Sequence, residues 1–396
     1  MTVSPLAWSL TVLGILALLA FDYIFHVRSA HVPTLREAAL WSSVYVGIAL
    51  LFGVGLLLFG GTDTGSEYFA GYITEKALSV DNLFVFLIIM TSFRVPRENQ
   101  QKVLLAGIVI SLIARAGFIF LGSALLNTFS WVFYLFGLAL LITAGNMLKP
   151  QTEESHSAQN VIVRLARRLL PTTESYDGDR LITRQDGRRM MTPMLLVMVA
   201  IGGTDLMFAL DSIPAIFGLT QNVFIVFTAT AFSLLGLRQL YFLLDGLLDR
   251  LIYLSFGLAA ILAFIGAKLI LHALHENNLP FVNAGHHVEV AEISTGLSLV
   301  VIVVVLLVTI LASLFSTRGR TQTAMANIRR DALAYLDADY TDDAAERERL
   351  YSRLEESREH IVALGPKAKQ IVKNERELME LCARVIESRN SATTSP

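Results

Sequence analysis

Residues 75–84 read Glu-Lys-Ala-Leu-Ser-Val-Asp-Asn-Leu-Phe, and residues 205–214 read Asp-Leu-Met-Phe-Ala-Leu-Asp-Ser-Ile-Pro. In each stretch two acids stand six residues apart, and a small polar residue follows the second acid. Both stretches lie inside long apolar segments, where an ionised side chain is costly and usually has a function. These two stretches therefore predict the position of a functional site.

The composition of the chain is that of a polytopic membrane protein. Only 17% of the 396 residues are charged, against about a quarter in a soluble domain. A helix needs about 20 apolar residues to cross a hydrocarbon core of about 30 Å. The sequence predicts an all-α protein with nine transmembrane helices, at 5–25, 38–60, 67–90, 102–122, 128–148, 193–217, 222–243, 251–271 and 293–315.

The basic residues of the gaps between these blocks predict an orientation. Arg and Lys occur in alternate gaps, at 26–37, 91–101, 149–192, 244–250 and after 315, and are missing from the gaps between them. Because cytoplasmic loops carry the excess of Arg and Lys, the N-terminus is predicted outside and the C-terminus in the cytoplasm. The unbroken alternation supports nine crossings of a bacterial inner membrane.

An internal repeat connects the two acidic stretches. Ser111-Leu-Ile-Ala-Arg115 resembles Ser233-Leu-Leu-Gly-Leu-Arg238, and similar Tyr-containing segments begin at Tyr134 and Tyr253. By the charge alternation, the two copies run through the membrane in opposite directions. Inverted repeats with a site at their interface are a common architecture of secondary transporters.

The repeat divides the chain into predicted segments. Two three-helix units are predicted, and residues 149–192 form a cytoplasmic linker with a short basic helix at about 160–170. Helices one and two and the last helix are peripheral to the repeat, and a helical cytoplasmic tail follows. The bounds are 1–66 for the first two helices, 67–148 and 193–271 for the units, 272–292 for an outer loop, 293–315 for the last helix and 322–390 for the tail.

The acids and their neighbours predict a site for a divalent metal cation. Carboxylate, hydroxyl and amide oxygens suit Mg²⁺, Ca²⁺ or Mn²⁺ better than Zn²⁺ or Cu⁺. The only cysteine, Cys382, lies in the tail, so a thiolate site within one chain is excluded. The candidate metal ligands are Glu75, Asp81, Asn82, Thr204, Asp205, Asp211 and Ser212.

Helix geometry limits how two acids of one motif can act together. Residues six apart on a regular helix lie about 120° around it and about 9 Å along it. Either the helix unwinds between the acids, or one acid serves entry and the other binding. Gly202, Gly203 and Pro214 favour a break in the second copy.

Two basic residues inside the apolar segments are candidates for charge compensation. Arg115 and Lys268 can neutralise the acids when the ion is absent, or they can form structural ion pairs or extend to the interface. Four acids exceed the charge of one divalent ion, so coupling to protons is a further hypothesis. Asp22 is expected at the membrane interface.

The tail and the loops carry weaker signals. The tail contains two apolar stripes, which predict a small helical hairpin or bundle. The stripes are Leu350, Leu354, Ile361 and Leu364, and Ile371, Leu378, Leu381 and Val385. The bundle can self-associate, bind a cytoplasmic partner or pack only on itself. No basic patch with interleaved aromatic residues indicates nucleic acid, and no zinc-hydrolase or serine-nucleophile motif indicates an enzyme.

At these motifs the sequence resembles the TerC family of integral membrane proteins, named for tellurium resistance, and its Alx-type branch. The resemblance is carried by residues 72–86, residues 204–215 and Leu237-Arg-Gln-Leu-Tyr-Phe, and it covers about 5–315. It implies Mn²⁺ export in bacteria, with no prosthetic group and with the family's acidic positions on Glu75, Asp81, Asp205 and Asp211.

Two functions remain open from the sequence. The first is an efflux transporter in the lipid bilayer whose substrate is a divalent cation, with Mn²⁺ first. The second is a membrane scaffold for tellurium- or stress-resistance proteins, in which the acids hold a structural metal ion. A transporter needs the acids and tolerates loss of residues 322–396, whereas a scaffold needs the tail.

Overall fold

A computed structural model describes residues 3–27, 33–93, 95–129, 131–148, 173, 178, 180–185, 188–244, 253–275, 288, 290, 293–336, 344–363 and 376–394. Nearly all of these residues are helical. The helices are α1 Pro5–Asp22 (continued by a π-helical turn, Tyr23–Val27), α2 Leu35–Gly60, α3 Thr62–Ser92, α4 Arg97–Thr128, α5 Val132–Met147, α6 Pro193–Phe217, α7 Val223–Leu234, α8 Leu237–Leu244, α9 Leu254–His275, α10 Thr295–Phe315, α11 Thr317–Leu336, α12 Ala344–Ala363 and α13 Arg376–Thr394.

Seven spans within the described residues are long and apolar enough to cross a membrane. They are the helical segments Pro5–Val27, Arg36–Gly60, Asn99–Leu126, Pro193–Phe217, Val223–Leu243, Leu254–His275 and Thr295–Phe315. The chain is therefore an all-α polytopic membrane protein in its main part. The other two predicted crossings coincide with α3, which carries several charges, and with α5, which has 16 residues. Nine crossings stay a prediction.

The helices that carry the acidic motifs are packed against the second helix of the other predicted unit. The helix α3 packs on α7, α4 packs on α6, and α3 also contacts α6. Small residues allow the close approach: a Cβ on Gly71 would lie 3.2 Å from the Ala229 side chain, and one on Gly107 would lie 2.6 Å from Ile201. Such contacts between small residues are typical of helix association in membranes.

The third helices of the two predicted units also meet at glycines. A Cβ on Gly137 of α5 would lie 2.9 Å from the Gly266 carbonyl oxygen of α9, and the converse distance is also 2.9 Å. Each predicted unit therefore packs against the other through all three of its helices. The inverted relation of the two units stays a prediction.

The predicted break in the second motif is wrong. The helix α6 runs without interruption from Pro193 to Phe217 and includes both glycines and Pro214. Gly202 is a packing position, because a Cβ there would lie 2.8 Å from Ile110 of α4. Pro214 lies inside the helix, and a proline within a transmembrane helix is tolerated where neighbouring groups satisfy the freed backbone carbonyl.

The helix break lies instead between α7 and α8. Leu235 is extended, with φ −61° and ψ 133°, and Gly236 has a φ of +78°. The side chain of Tyr45 lies against Gly236, and a Cβ on this glycine would be 2.8 Å from the Tyr45 Cβ. Both the backbone conformation and the close contact therefore require glycine here.

Replacement of Gly236 by Ala is expected to destabilise the protein by about 1–3 kcal/mol, because a left-handed conformation is strained in any residue with a Cβ. Thermal unfolding of the purified protein measures the effect. Gly117, which has open space around its Cβ position, is the matched glycine control. Equal losses in Gly236→Ala and Gly117→Ala would contradict the assignment.

The chain divides into two compact units. The first, called the membrane unit, comprises Met1–Leu243 and Ser255–Val305, and the second comprises Leu244–Leu254 and Leu306–Pro396. In the second unit α11, α12 and α13 enclose an apolar core that includes Ile328, Leu350, Leu354, Ile361, Leu378, Leu381 and Val385. The apolar stripes noted in the tail thus lie in this core wherever the structure describes them.

The linker contains an element that its sequence did not predict. Strand β1 (Ile182–Gln185) pairs antiparallel with β2 (Arg188–Met191), directly before α6. Thr192 follows β2, and its hydroxyl donates to the Arg180 carbonyl oxygen at 2.6 Å. The basic helix predicted at 160–170 lies outside the described residues.

Candidate cation site

Arg115 of α4 joins one acid of each motif. Its Nε donates to Oδ2 of Asp205 at 3.0 Å, its Nη2 donates to Oδ1 of Asp205 at 3.3 Å, and its Nη1 forms an ion pair with Glu75. The same Nη1 donates to the Ser212 hydroxyl at 3.1 Å. All three charged side chains are at most 1% exposed. The cluster thus holds one cation and two anions, one from α3 and one from α6.

The second acid of each motif has a hydroxyl partner. Asp211 of α6 accepts a hydrogen bond from the Thr143 hydroxyl of α5 at 3.0 Å. Asp81 of α3 accepts one from the Ser255 hydroxyl of α9 at 3.5 Å. In each case the partner belongs to the third helix of the other predicted unit. A hydroxyl carries no charge, so neither of these partners neutralises a carboxylate as Arg115 does.

The other predicted site residues lie in different surroundings. Asn82 is buried, and the Thr204 hydroxyl donates to the Ala200 carbonyl oxygen of its own helix at 2.7 Å. Lys268 donates to the Ser298 hydroxyl at 3.3 Å. Within the part of the chain that the structure describes, no three His, Cys, Asp or Glu side chains form a group that could hold a metal ion. Of the predicted donors, Glu75, Asp205 and Ser212 contact Arg115, and the described residues do not bring all seven donors into one closed cage.

A cavity of about 410 Å³ lies beside the N-terminal part of α3, the helix that carries the first motif. Its lining includes Glu67, Thr220, Lys268 and His272. Glu67 accepts a hydrogen bond from the Thr220 hydroxyl at 2.6 Å. Under the predicted orientation this is the outer side of the membrane, and Glu67 adds an acid there that the motifs did not include.

A second buried ion pair lies at the other arginine of the repeat. Arg238 of α8 holds Asp22 through two hydrogen bonds, from Nε to Oδ2 at 3.1 Å and from Nη2 to Oδ1 at 2.7 Å. Tyr45 and Gln239 also donate to Asp22, at 3.0 Å and 2.8 Å, and Arg238 donates to Gln101. Asp22 is 5% exposed and therefore buried within the protein, while its position at the depth of the membrane interface stays a prediction.

The break before α8 explains why Arg238 and Arg115 differ. Ser111 and Arg115 stand four residues apart on one continuous helix, whereas Ser233 and Arg238 stand five apart across Gly236. The break re-aims α8, and Arg238 pairs with α1 rather than with a motif acid. One arginine, Arg115, therefore serves the acids of both motifs.

Comparison with known proteins places these helices in a family. The model of the integral membrane protein TerC family matches residues 60–321, which include both motifs, Arg115 and Arg238. The chain belongs to the TerC family. No solved structure matches the chain.

Three relatives show how much of this TerC family protein is similar to other membrane proteins. An uncharacterized membrane protein of Mycobacterium tuberculosis is 55% identical over 99% of this chain and 100% of its own length. An uncharacterized membrane protein of Myxococcus xanthus is 42% identical over 67% of this chain and 83% of its own. A protein of Escherichia coli K12 named membrane-bound redox modulator Alx is 37% identical over 68% of this chain and 86% of its own.

Loss of the Asp22–Arg238 pair is expected to destabilise this TerC family protein by about 3 kcal/mol, because one buried charge is left without its partner. Arg238→Gln tests this in a thermal unfolding measurement. The exposed pair of Arg358 and Glu355, 3.2 Å apart, provides a control in Arg358→Gln, since exposed pairs contribute little. Similar losses in both variants would contradict a special role for Arg238.

Sequence reasoning missed several partners in this TerC family site. Thr143 and Ser255, which contact Asp211 and Asp81, are ordinary residue types in transmembrane helices, and nothing in their spacing marks them. The pairing of Asp22 with Arg238 was not predicted, because the two residues lie 216 positions apart in the sequence. The sequence did contain a signal for the helix break. One extra residue stands between Ser233 and Arg238 compared with Ser111 and Arg115, and Gly236 lies in that interval.

Proposed function

We propose that this protein exports a divalent metal cation from the cytoplasm, with Mn²⁺ as the first candidate. The observation that carries the proposal is the arrangement of two matched acid pairs around one arginine inside the membrane unit. Glu75 and Asp205 share the Arg115 guanidinium, while Asp81 and Asp211 contact neutral hydroxyls. Acids retained in this way inside a membrane protein typically belong to an ion pathway.

The direction of the helices supports a path of acids across the membrane. Along each motif helix the second acid lies about 9 Å beyond the first. If α4 and α5 each cross the membrane, α6 runs opposite to α3, so Asp81 and Asp211 lie on opposite sides of the central acids. Under the predicted orientation Asp81 lies toward the cytoplasm, and Asp211 lies toward the outer cavity that contains Glu67.

Arg115 gives this path a means of exchange. With no ion present, two central carboxylates would be buried without compensation, and the guanidinium supplies the missing charge. A divalent cation that binds Glu75 and Asp205 makes that charge redundant, so Arg115 and the cation compete for the same acids. Competition of this kind prevents the central site from standing empty and charged.

The donor set fits the proposed substrate. Carboxylates with hydroxyl and amide oxygens suit Mn²⁺, Mg²⁺ or Ca²⁺, and the preference for Mn²⁺ comes from the resemblance to the family. The name of the Escherichia coli relative refers to redox modulation. With Cys382 as the only cysteine, this chain cannot form an internal disulfide, so we favour cation transport over thiol chemistry.

Deletion of the tail separates the transporter from the scaffold. Inside-out vesicles with matched amounts of full-length protein or of a variant lacking residues 322–396 are loaded with an Mn²⁺-quenched dye. We expect both proteins to admit Mn²⁺ at rates within about twofold of each other, because the motif acids and Arg115 are unchanged. The scaffold would be favoured if neither protein admits Mn²⁺ and if only the full-length protein supports stress resistance in cells.

A further inference from the structure

The break between α7 and α8 leaves backbone carbonyl oxygens inside the membrane unit. The last carbonyls of a helix have no donor within the helix, and an unsatisfied backbone group is costly at membrane depth. Ser233 and Leu235, on either side of the end of α7, are 0% and 4% exposed. Their carbonyl oxygens therefore need a donor or a cation from elsewhere in the protein.

Lys76 of α3 supplies that cation. Its Nζ donates to the Ser233 carbonyl oxygen at 3.1 Å and to the Leu235 carbonyl oxygen at 3.5 Å. An ammonium group is favourable at the C-terminal end of a helix, because the carbonyl oxygens there form the negative end of the helix dipole. Lys76 follows Glu75 directly in sequence, yet its partners lie at this break rather than among the motif acids.

Further neutral oxygens lie close to the same carbonyls. The Ser79 and Ser233 hydroxyl oxygens are 3.4 Å apart. Thr230 is 1% exposed and lies one turn before Ser233 on the same face of α7, and its hydroxyl has no hydrogen-bond partner among the residues that the structure describes. The break thus combines backbone carbonyls with hydroxyls, and no carboxylate contacts the Lys76 ammonium in the described residues.

A site of this chemistry suits a monovalent cation. Unwound backbone carbonyls at broken transmembrane helices coordinate Na⁺ in transporters, and rings of carbonyls coordinate K⁺ in channels. Divalent cations generally take carboxylates as well. The break and the acidic motifs therefore differ in the charge of the cation that they favour.

We propose that the α7–α8 break is a monovalent-cation site and that Lys76 occupies it as a tethered cation. The proposal rests on the proposed function where it concerns transport: because the charge is built into the chain, cation flux through the wild-type protein needs neither Na⁺ nor K⁺. Without the lysine side chain, the same oxygens bind a small free cation such as Na⁺ or methylammonium.

Thermal unfolding of the purified full-length protein tests the site without any transport assay. Wild type and Lys76→Ala are compared in NaCl, methylammonium chloride and choline chloride at equal ionic strength, since choline is too large for the site. In Lys76→Ala we expect Na⁺ or methylammonium at about ten times its Kd to raise the unfolding temperature by about 2 °C over choline. Wild type is expected to show no such difference.

Two further variants separate the site from a general salt effect. Lys268→Ala removes another lysine of the membrane unit whose ammonium contacts a side-chain hydroxyl, and it is expected to unfold at the same temperature in all three salts. Adding Thr230→Val to Lys76→Ala removes one neutral oxygen and is expected to reduce the Na⁺-dependent rise.

The outcomes decide the proposal in each case. Equal unfolding temperatures of Lys76→Ala in the three salts overturn it, and so does a rise in wild type as large as in the variant. If Lys76→Ala is recovered folded only when Na⁺ or methylammonium is present throughout purification, that recovery supports the site. If folded Lys76→Ala is recovered in none of the three salts, while Lys76→Arg folds normally in choline, that result also counts against the proposed cation site.

The test is independent of the proposed function. A Na⁺-dependent rise in Lys76→Ala, together with absent Mn²⁺ flux in wild type, keeps the cation site and rejects the transporter. Mn²⁺ flux in wild type, together with equal unfolding temperatures of the variant in the three salts, keeps the transporter and rejects the cation site.

Discussion

Replacement of either Asp81 or Asp211 by Asn is expected to lower Mn²⁺ flux by at least about 100-fold, which corresponds to about 2.7 kcal/mol. Each carboxylate contacts a hydroxyl rather than a cation, so its negative charge is available to a passing metal ion. Asn keeps the size of the side chain and an oxygen that accepts from Thr143 or Ser255. The loss is therefore expected in transport and not in folding.

A matched control lies on the same helix as Asp81. Asp63 is exposed in the first turn of α3, and Asp63→Asn is expected to leave the flux within about twofold of wild type. Flux is measured at matched protein levels in vesicles loaded with an Mn²⁺-quenched dye. Wild-type flux in Asp81→Asn and Asp211→Asn would remove these two residues from the cation path.

Replacement of Arg115 by Met is expected to destabilise the protein by about 3–5 kcal/mol, because it leaves buried carboxylates without their partner. Glu75 and Asp205 are each at most 1% exposed and both depend on the same guanidinium. Unfolding of the purified protein in detergent measures the change. Arg115→Lys keeps the charge but loses the fork that reaches both acids, so an intermediate loss is expected.

The combined variant Arg115→Met/Glu75→Gln/Asp205→Asn tests the physical reason for that loss. With the acids made neutral, the absence of the arginine no longer leaves buried charges, and most of the lost stability is expected to return. Such recovery is a direct measure of coupling between neighbouring residues. If the triple variant is less stable than Arg115→Met alone, charge compensation is not the role of Arg115.

The helices were predictable because hydrophobic length leaves few alternatives in a membrane. The predicted block 193–217 matches α6 in both bounds, and 38–60 differs from α2 mainly at its start. The acids were predicted as candidate site residues for a similar reason, since the cost of burying a charge makes each intramembrane carboxylate informative. Membership of the TerC family follows from the same motifs and is confirmed.

The contacts between distant segments were not predictable in the same way. Gly202, Gly203 and Pro214 indicated a break by local propensity, but close packing of α6 on α4 uses the glycine and keeps the helix continuous. The true break at Gly236 depends on a left-handed backbone and on the contact with Tyr45 from another helix. Tertiary packing decided both cases, and a single sequence does not contain its geometry.

The charge partners show the same limit. Arg115 was predicted to compensate the acids, and the structure pairs it with Glu75 and Asp205. Lys268 was named for the same role, and its ammonium contacts Ser298 beside the outer cavity. A long basic side chain can reach many positions, so spacing alone did not predict the contacts of either Arg115 or Lys268.

In the proposed transport function, Glu75, Asp81, Asp205 and Asp211 form a path for a divalent cation. The most direct test is Mn²⁺ entry into liposomes reconstituted with the purified protein, compared with protein-free liposomes and with the Asp81→Asn/Asp211→Asn variant. We predict that wild type admits Mn²⁺ at least about 100 times faster than the double variant, whose rate falls to that of protein-free liposomes. Wild-type entry no faster than in protein-free liposomes, with the protein folded and inserted, would contradict the account.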